Sequence, residues 1–159
     1  MPDRFSWVIE DKIAGMERPG LFYDLEEDLD YLWAMGIETI VNLEEEEHFR
    51  DYSGFTVKHI PVDDFGAPQL RDFEEFVEFT ESEVKNNRRI AVHCYAGMGR
   101  TNLMIACFLI HYLKIGPLTA LETVKLKRPF YLVTPGQELA LMEYFKHVKN
   151  RLAIPEYGR

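Results

Sequence analysis

The sequence predicts a single α/β domain, residues 1–159, with a central, mainly parallel sheet and helices on both faces. Three observations carry this reading. Apolar runs rich in β-branched residues alternate along the chain with segments of helical apolar spacing, the pattern of strands joined by crossover helices. One run, "RRIAVHC" (88–94), is apolar through its centre, as in a strand buried on both sides. The chain has 159 residues, 47% of them hydrophobic, enough for one core and too few for two.

Taken in order, "FSWVI" (5–9) reads as a short strand, and "AGMERPG" (14–20) reads as turn chemistry through its glycines and proline. Asp24 is placed to cap a helix whose apolar positions Leu25, Leu29, Leu32 and Trp33 recur at helical spacing until Gly36, a natural stop. "IETIVNL" (37–43) is a strand. Glu44 to Glu47 follow, and four like charges in a row read as a solvated loop. "TVKHIPV" (56–62) is the next strand, and "DDFGAP" (63–68) a loop. Leu70, Phe73, Phe76, Val77, Thr80 and Val84 form the inward face of a long helix ending near Asn86 and Asn87. Beyond the apolar strand, "TNLMIACFLIHYL" (101–113) is apolar nearly all round, which predicts a central, buried helix. Pro117 opens a further helix to Leu126, and Thr134-Pro135 opens a last one to about Arg151.

Composition excludes some partners. The longest apolar run, Leu103 to Ile110, is far short of the ~20 residues of a bilayer span. The N-terminus "MPDRFSWVIED" lacks the basic-then-apolar pattern of a secretory signal. The expectation is a cytoplasmic protein with no membrane partner. A net charge of −9 argues against holding duplex nucleic acid through its phosphates. Cys94 and Cys107 fall at a strand end and in the following helix, which suits reduced thiols.

The stretch "VHCYAGMGRT" (92–101) holds the densest chemistry. A strand ending at Cys94 and a helix beginning near Arg100 leave a loop, Tyr95, Ala96, Gly97, Met98 and Gly99, whose backbone N–H groups can converge on a tetrahedral oxyanion. Gly97 and Gly99 permit the φ values and close approach that a cradle requires. Arg100 adds a planar fork suited to two phosphate oxygens. A helix N-terminus and a nearby cation lower a cysteine pKa from about 8.5, so Cys94 is expected to be a thiolate and a nucleophile. His93 is expected to support the cradle, and the Thr101 hydroxyl to donate to sulfur when it leaves.

His93 to Thr101 resembles the phosphate-binding loop of cysteine-dependent protein tyrosine phosphatases. "FSWV", "IAG", "GIETIVNL" and "RPFYLVTPGQE" (128–138) extend the resemblance over most of the chain to the small atypical dual-specificity phosphatases, of the dual-specificity phosphatase 23 type and its archaeal relatives. That resemblance implies a dual-specificity phosphatase-like fold and a phosphocysteine intermediate on Cys94, with no metal and no cofactor. It implies a general acid at Asp64, with Asp63 as the fallback. Either aspartate is equally able to cap the helix after Pro68. Gln137 in relatives orients the hydrolytic water, and Thr134-Pro135-Gly136-Gln137 is also a capping box. Asn102 and Phe130 depart from glycines frequent in the family, and Asn102 is expected to alter the first helical turn. Cys107 is expected in the core, with a redox role toward Cys94 as the alternative.

The expected substrate is a phosphorylated protein or peptide, with phosphotyrosine and, in a shallow site, phosphoserine or phosphothreonine accepted by a monomeric enzyme. The rivals are a phosphate-binding pseudophosphatase, a phosphatase for a non-protein phosphomonoester, and a rhodanese-like sulfur transferase. The last has no need of Asp64 or the Arg100-Thr101 pair.

Overall fold

A computed structural model describes residues 1–47, 52–152 and 154. Five strands, β1 (Ser6–Ile9), β2 (Ile13–Met16), β3 (Ile37–Asn42), β4 (Thr56–His59) and β5 (Arg89–His93), form one sheet in the order β1-β2-β5-β3-β4. β1 pairs antiparallel with β2, and every other pairing is parallel. The helices are α1 (Leu25–Ala34), α2 (Leu70–Lys85), α3 (Arg100–Leu113), α4 (Pro117–Lys127) and α5 (Pro135–Leu152).

Strand alternation divides the core in two. Ile90 and Val92 of β5 point to a large cluster with Phe73 and Phe76 of α2, Leu103 to Ile110 of α3, Val124 of α4 and Tyr144 of α5. Ala91 points the other way, to a smaller cluster with Ile37, Ile40 and Leu32 of α1. The α/β architecture with helices on both faces is as expected, and α3 is buried from Arg100 to Ile110.

Local signals placed most boundaries. Asp24 Oδ1 accepts from the N–H groups of Glu26 and Glu27, and Gly36 takes φ +80° after α1. At α2 the inward face differs slightly from expectation: Leu70 is exposed, and Glu83 is buried because it pairs with Arg88 at 2.7 Å. The larger correction is β2. Ala14-Gly15 read as a turn, but the segment is a fully buried strand between β1 and β5. Gly15 is there to admit a side chain, since a Cβ at this position would lie 2.7 Å from Cζ of Arg128. Among the described residues, no single helix is long and apolar enough to cross a membrane.

Candidate active site

β5 ends at His93 and α3 begins at Arg100, so residues 94–99 form a loop at the C-terminal edge of the parallel strands, where open α/β sheets bind ligands. The loop's carbonyls are all engaged from outside. The Cys94 carbonyl contacts Nδ1 of His93 at 2.9 Å, and that of Tyr95 accepts from the Arg18 N–H at 3.0 Å. Those of Ala96 and Gly97 accept from Arg4 Nη1 (3.3 Å) and Arg128 Nη2 (2.6 Å). That of Met98 takes both the Asn102 side-chain amide and the Leu132 N–H, each at 2.8 Å. In a trans peptide the C=O and the next N–H point in opposite directions, and the described chain has no cis bond. Pinning five consecutive carbonyls outward therefore turns the N–H groups of residues 95–99 inward, into the cradle that the glycines foreshadow. Gly97 has φ +74°, and a Cβ there would collide with the Met16 carbonyl. Gly99 has an ordinary negative φ, and its freedom from a Cβ serves only the approach to the Leu132 carbonyl.

At the floor of the cradle lies Cys94, 3% exposed. Its sulfur accepts from Thr101 Oγ1 at 3.1 Å and from the Gly97 N–H at 3.3 Å. Two donors are thus aimed at one sulfur. Cys107 is free, as Cys94 is, and lies within α3 in the core, away from the cavity lining. Burial pushes its thiol well above the usual range.

Arg100 is buried and locked. Its Nη1 donates to the Val62 carbonyl at 2.8 Å and to Glu45 Oε1 at 2.6 Å, and its Nη2 lies 3.5 Å from Asp64 Oδ1. Glu45 is held below the usual carboxylate range, first by its own backbone N–H and then by Arg100. The reading of Glu44 to Glu47 as a solvated loop holds for the exposed Glu46 and Glu47 and is corrected at Glu44 and, through its Arg100 pair, at the half-exposed Glu45. Glu44 is buried, pairs with Arg18 at 2.6 Å and lies 3.5 Å from Nδ1 of His93. The run follows β3, the neighbour of β5, so its first two carboxylates fall beside the loop. His93 is wholly buried, with Nδ1 on the Cys94 carbonyl and Nε2 3.3 Å from the Tyr52 hydroxyl, and it supports the loop.

Opposite the loop stands the 63–68 segment. Asp64 is about half exposed, and Phe65 has φ +58°. Neither Asp63 nor Asp64 caps α2, because Asp72 accepts from the N–H of the N-cap residue Gln69 at 2.8 Å. Gln137 does two things at once. It exchanges hydrogen bonds with Thr134 (3.0 and 3.1 Å) to start α5, and its Nε2 donates to the Gly66 carbonyl at 3.1 Å. Cys94, Arg100, Asp64, Gln137, Phe65, Tyr95 and Leu132 surround a cavity of about 130 Å³. Its size suits a small tetrahedral anion and the first atoms of its ester. Among the described residues no group of three His, Cys, Asp or Glu side chains is placed to hold a metal ion.

Two residues behind the loop were not legible in their roles. Asn102 is buried, and its amide bridges the Met98 and Phe130 carbonyls. Arg128, also fully buried, reaches its Oδ1 at 2.7 Å. Their only sequence signal was that Asn102 departs from the family's usual glycine.

The family model described as "Polymorphic toxin system, DSP-PTPase phosphatase" matches residues 14–114, more than half of the chain. The chain belongs to this phosphatase family. It is thereby an atypical dual-specificity member of the cysteine-dependent tyrosine phosphatase superfamily. Protein tyrosine phosphatase domain-containing protein 1 of Mus musculus is 30% identical over 87% of this chain and 21% of its own length. The chain thus spans about a fifth of that relative. Among solved structures, Tk-PTP in its active form is 26% identical with a TM-score of 0.75, over 95% of this chain and 99% of that one. PTPMT1 in complex with PI(5)P is 22% identical with a TM-score of 0.83, over 95% and 100% of the two chains.

Proposed function

We propose that the chain hydrolyses phosphomonoesters through Cys94, and that its substrates are phosphorylated proteins or peptides. The observation that carries this reading is the sulfur of Cys94 at the floor of a cradle, with Thr101 and Gly97 both donating to it. In the first step the thiolate attacks phosphorus. An S–P bond forms, the P–O bond to the leaving group breaks, and Asp64 gives its proton to the departing oxygen. Inward N–H groups of residues 95–99 and the Arg100 fork hold the equatorial oxygens. In the second step Asp64 takes a proton from water, the water oxygen bonds phosphorus, and the S–P bond breaks with its electron pair returning to sulfur. Thr101 receives that thiolate with a hydrogen bond. Gln137, beside Gly66, orients the water, and His93 keeps the loop in place.

Phosphotyrosine is favoured by the exposed rings of Phe65 and Tyr95 at the cavity's rim, and the shallow site leaves phosphoserine and phosphothreonine acceptable. A phosphoinositide is the second reading, because PTPMT1 shares the fold and was solved with one. The charge balance weighs against it here: in the space adjoining the cavity Glu44, Glu45, Glu46 and Asp64 outnumber Arg18 and Arg100. Hydrolysis of an aryl phosphate with chelator present, followed by a panel of phosphopeptides and a phosphoinositide, tests both. Loss of turnover in chelator contradicts the metal-free mechanism, and preference for the lipid contradicts the protein substrate. Cys94→Ser is expected to bind phosphate without turning it over.

A further inference from the structure

Among the described residues Arg128 heads the large side chains that are fully buried. A buried guanidinium is costly unless it is paired and hydrogen-bonded. Among the described residues no carboxylate pairs with Arg128. Its donors go instead to neutral oxygens: Nε to Asn102 Oδ1 (2.7 Å), Nη1 to the Arg4 carbonyl (2.8 Å) and Ser6 Oγ (2.7 Å), and Nη2 to the Gly97 carbonyl (2.6 Å). β2 carries a glycine at position 15 to make room for it. A chain that keeps an uncompensated cation in its core, and clears a strand residue to fit it, has placed it to serve an anion.

We propose that Arg128, braced by Asn102, is a positioning residue that fixes the 97–98 and 98–99 peptides in their anion-binding orientation and supplies a second buried positive charge to the Cys94 thiolate. This rests on Cys94 being the nucleophile. The geometry supplies the first half. Arg128 holds the Gly97 carbonyl and so aims the Met98 N–H; Asn102 holds the Met98 carbonyl and so aims the Gly99 N–H. Both planes are controlled by one hydrogen-bonded pair, since Nε of Arg128 orients the Asn102 amide. The second half follows from the missing carboxylate. Burial lowers the Arg128 pKa to about 10, and the negative charge of Cys94 acts in the opposite direction. The geometry carries the charge to the sulfur: Nη2 of Arg128 holds the carbonyl of Gly97, and the N–H of that same residue donates to the Cys94 sulfur at 3.3 Å.

Other charges around the loop do not duplicate this role. Arg100, from α3, is engaged by Glu45 and faces Asp64. Arg4, from the N-terminal segment, lies 3.9 Å from Oε2 of Glu17, whose carboxyl is pushed up by burial. His93, on β5, is 3.5 Å from Glu44. Each of these cations has a carboxylate beside it, and Arg128 does not.

The test separates charge from geometry using Arg128→Lys, Arg128→Met and Asn102→Ala in the full chain. Iodoacetamide modification at mildly acidic pH, located by peptide mass spectrometry, reads the reactivity of Cys94, with buried Cys107 as internal reference. Vanadate affinity reads the cradle. Arg128→Met is expected to slow Cys94 alkylation roughly ten-fold and to lower kcat/KM roughly a hundred-fold. Arg128→Lys keeps the charge, so alkylation stays close to wild type while kcat/KM drops about ten-fold through the lost fork. Asn102→Ala leaves alkylation unchanged and weakens vanadate about ten-fold through the loosened peptides.

A cooperatively melting Arg128→Met that alkylates and turns over like wild type overturns the proposal. So does equal loss of alkylation in the Lys and Met variants. If the Met variant does not fold, wild-type vanadate affinity in Asn102→Ala overturns it. Wild-type Cys94 reacting no faster than an ordinary thiol would instead sink the nucleophile assignment itself.

Discussion

Glu45 Oε1 and Arg100 Nη1 lie 2.6 Å apart, with the Val62 carbonyl on the same nitrogen at 2.8 Å. One edge of the guanidinium is thus occupied by protein, and the remaining N–H groups are left in a fixed plane for a ligand. Glu45 is about half exposed, so the pair contributes little to folding and matters chiefly as orientation. Glu45→Ala is expected to lower kcat/KM for an aryl phosphate by roughly ten- to a hundred-fold with little change in melting temperature. Unchanged kinetics would show that Val62 alone suffices to set the fork.

Arg100→Lys places a charge at the same site without the planar pair of donors. We expect kcat to fall about 10²–10³-fold, as when one preorganised transition-state donor is removed. Steady-state kinetics decide this, and a loss confined to KM would mean that Arg100 binds ground state and transition state equally.

Gly97→Ala tests the backbone of the cradle. The new Cβ meets the Met16 carbonyl, and φ +74° is unfavourable for any L side chain. A stability loss of about 1–3 kcal/mol is expected, together with loss of vanadate binding. Denaturant unfolding and vanadate titration measure both, and a variant as stable and as tight as wild type would contradict the described loop.

Acid stability is predicted to depend on a group far from the site. His111, on α3, contacts the Tyr144 hydroxyl at 2.6 Å, and burial, helped by Lys114 and Arg151, lowers its pKa to about 4. Glu81 lies 3.5 Å from Nδ1 but is half exposed, and desolvation prevails. A histidine whose folded pKa lies below its unfolded value of 6.5 contributes stability that is complete above pH 6.5 and is lost as pH falls toward 4. His111→Gln should flatten that part of the melting-temperature profile, by on the order of 3 kcal/mol at most. An unchanged acid limb assigns it to other groups.

Much of the site was readable because a strand, a glycine loop and a helix start are local. Cys94, Gly97, Arg100 and Thr101 sit within eight consecutive positions, and their spacing forces them together once β5 and α3 form. Gln137 and its capping partner Thr134 are local for the same reason. What escaped depends on tertiary neighbours. Gly15 looked like a turn residue because nothing nearby in sequence announces Arg128, which packs onto it from beyond α4. Glu44 and Glu45 looked solvated because a run of acids carries no sign of Arg18 and Arg100, and only the β3–β5 pairing brings them beside the loop. Asn102 was visible as a departure, yet its function required knowing which carbonyls it faces.

The most direct measurement is mass spectrometry of enzyme quenched in alkaline denaturant, which preserves an S–P bond, during turnover of an aryl phosphate, with Asp64→Ala included so that breakdown of the intermediate is slowed. The account predicts one added phosphoryl group on the peptide that contains Cys94, absent in Cys94→Ser. Phosphoryl transfer to any other residue, or turnover with no adduct on that sulfur, would contradict it.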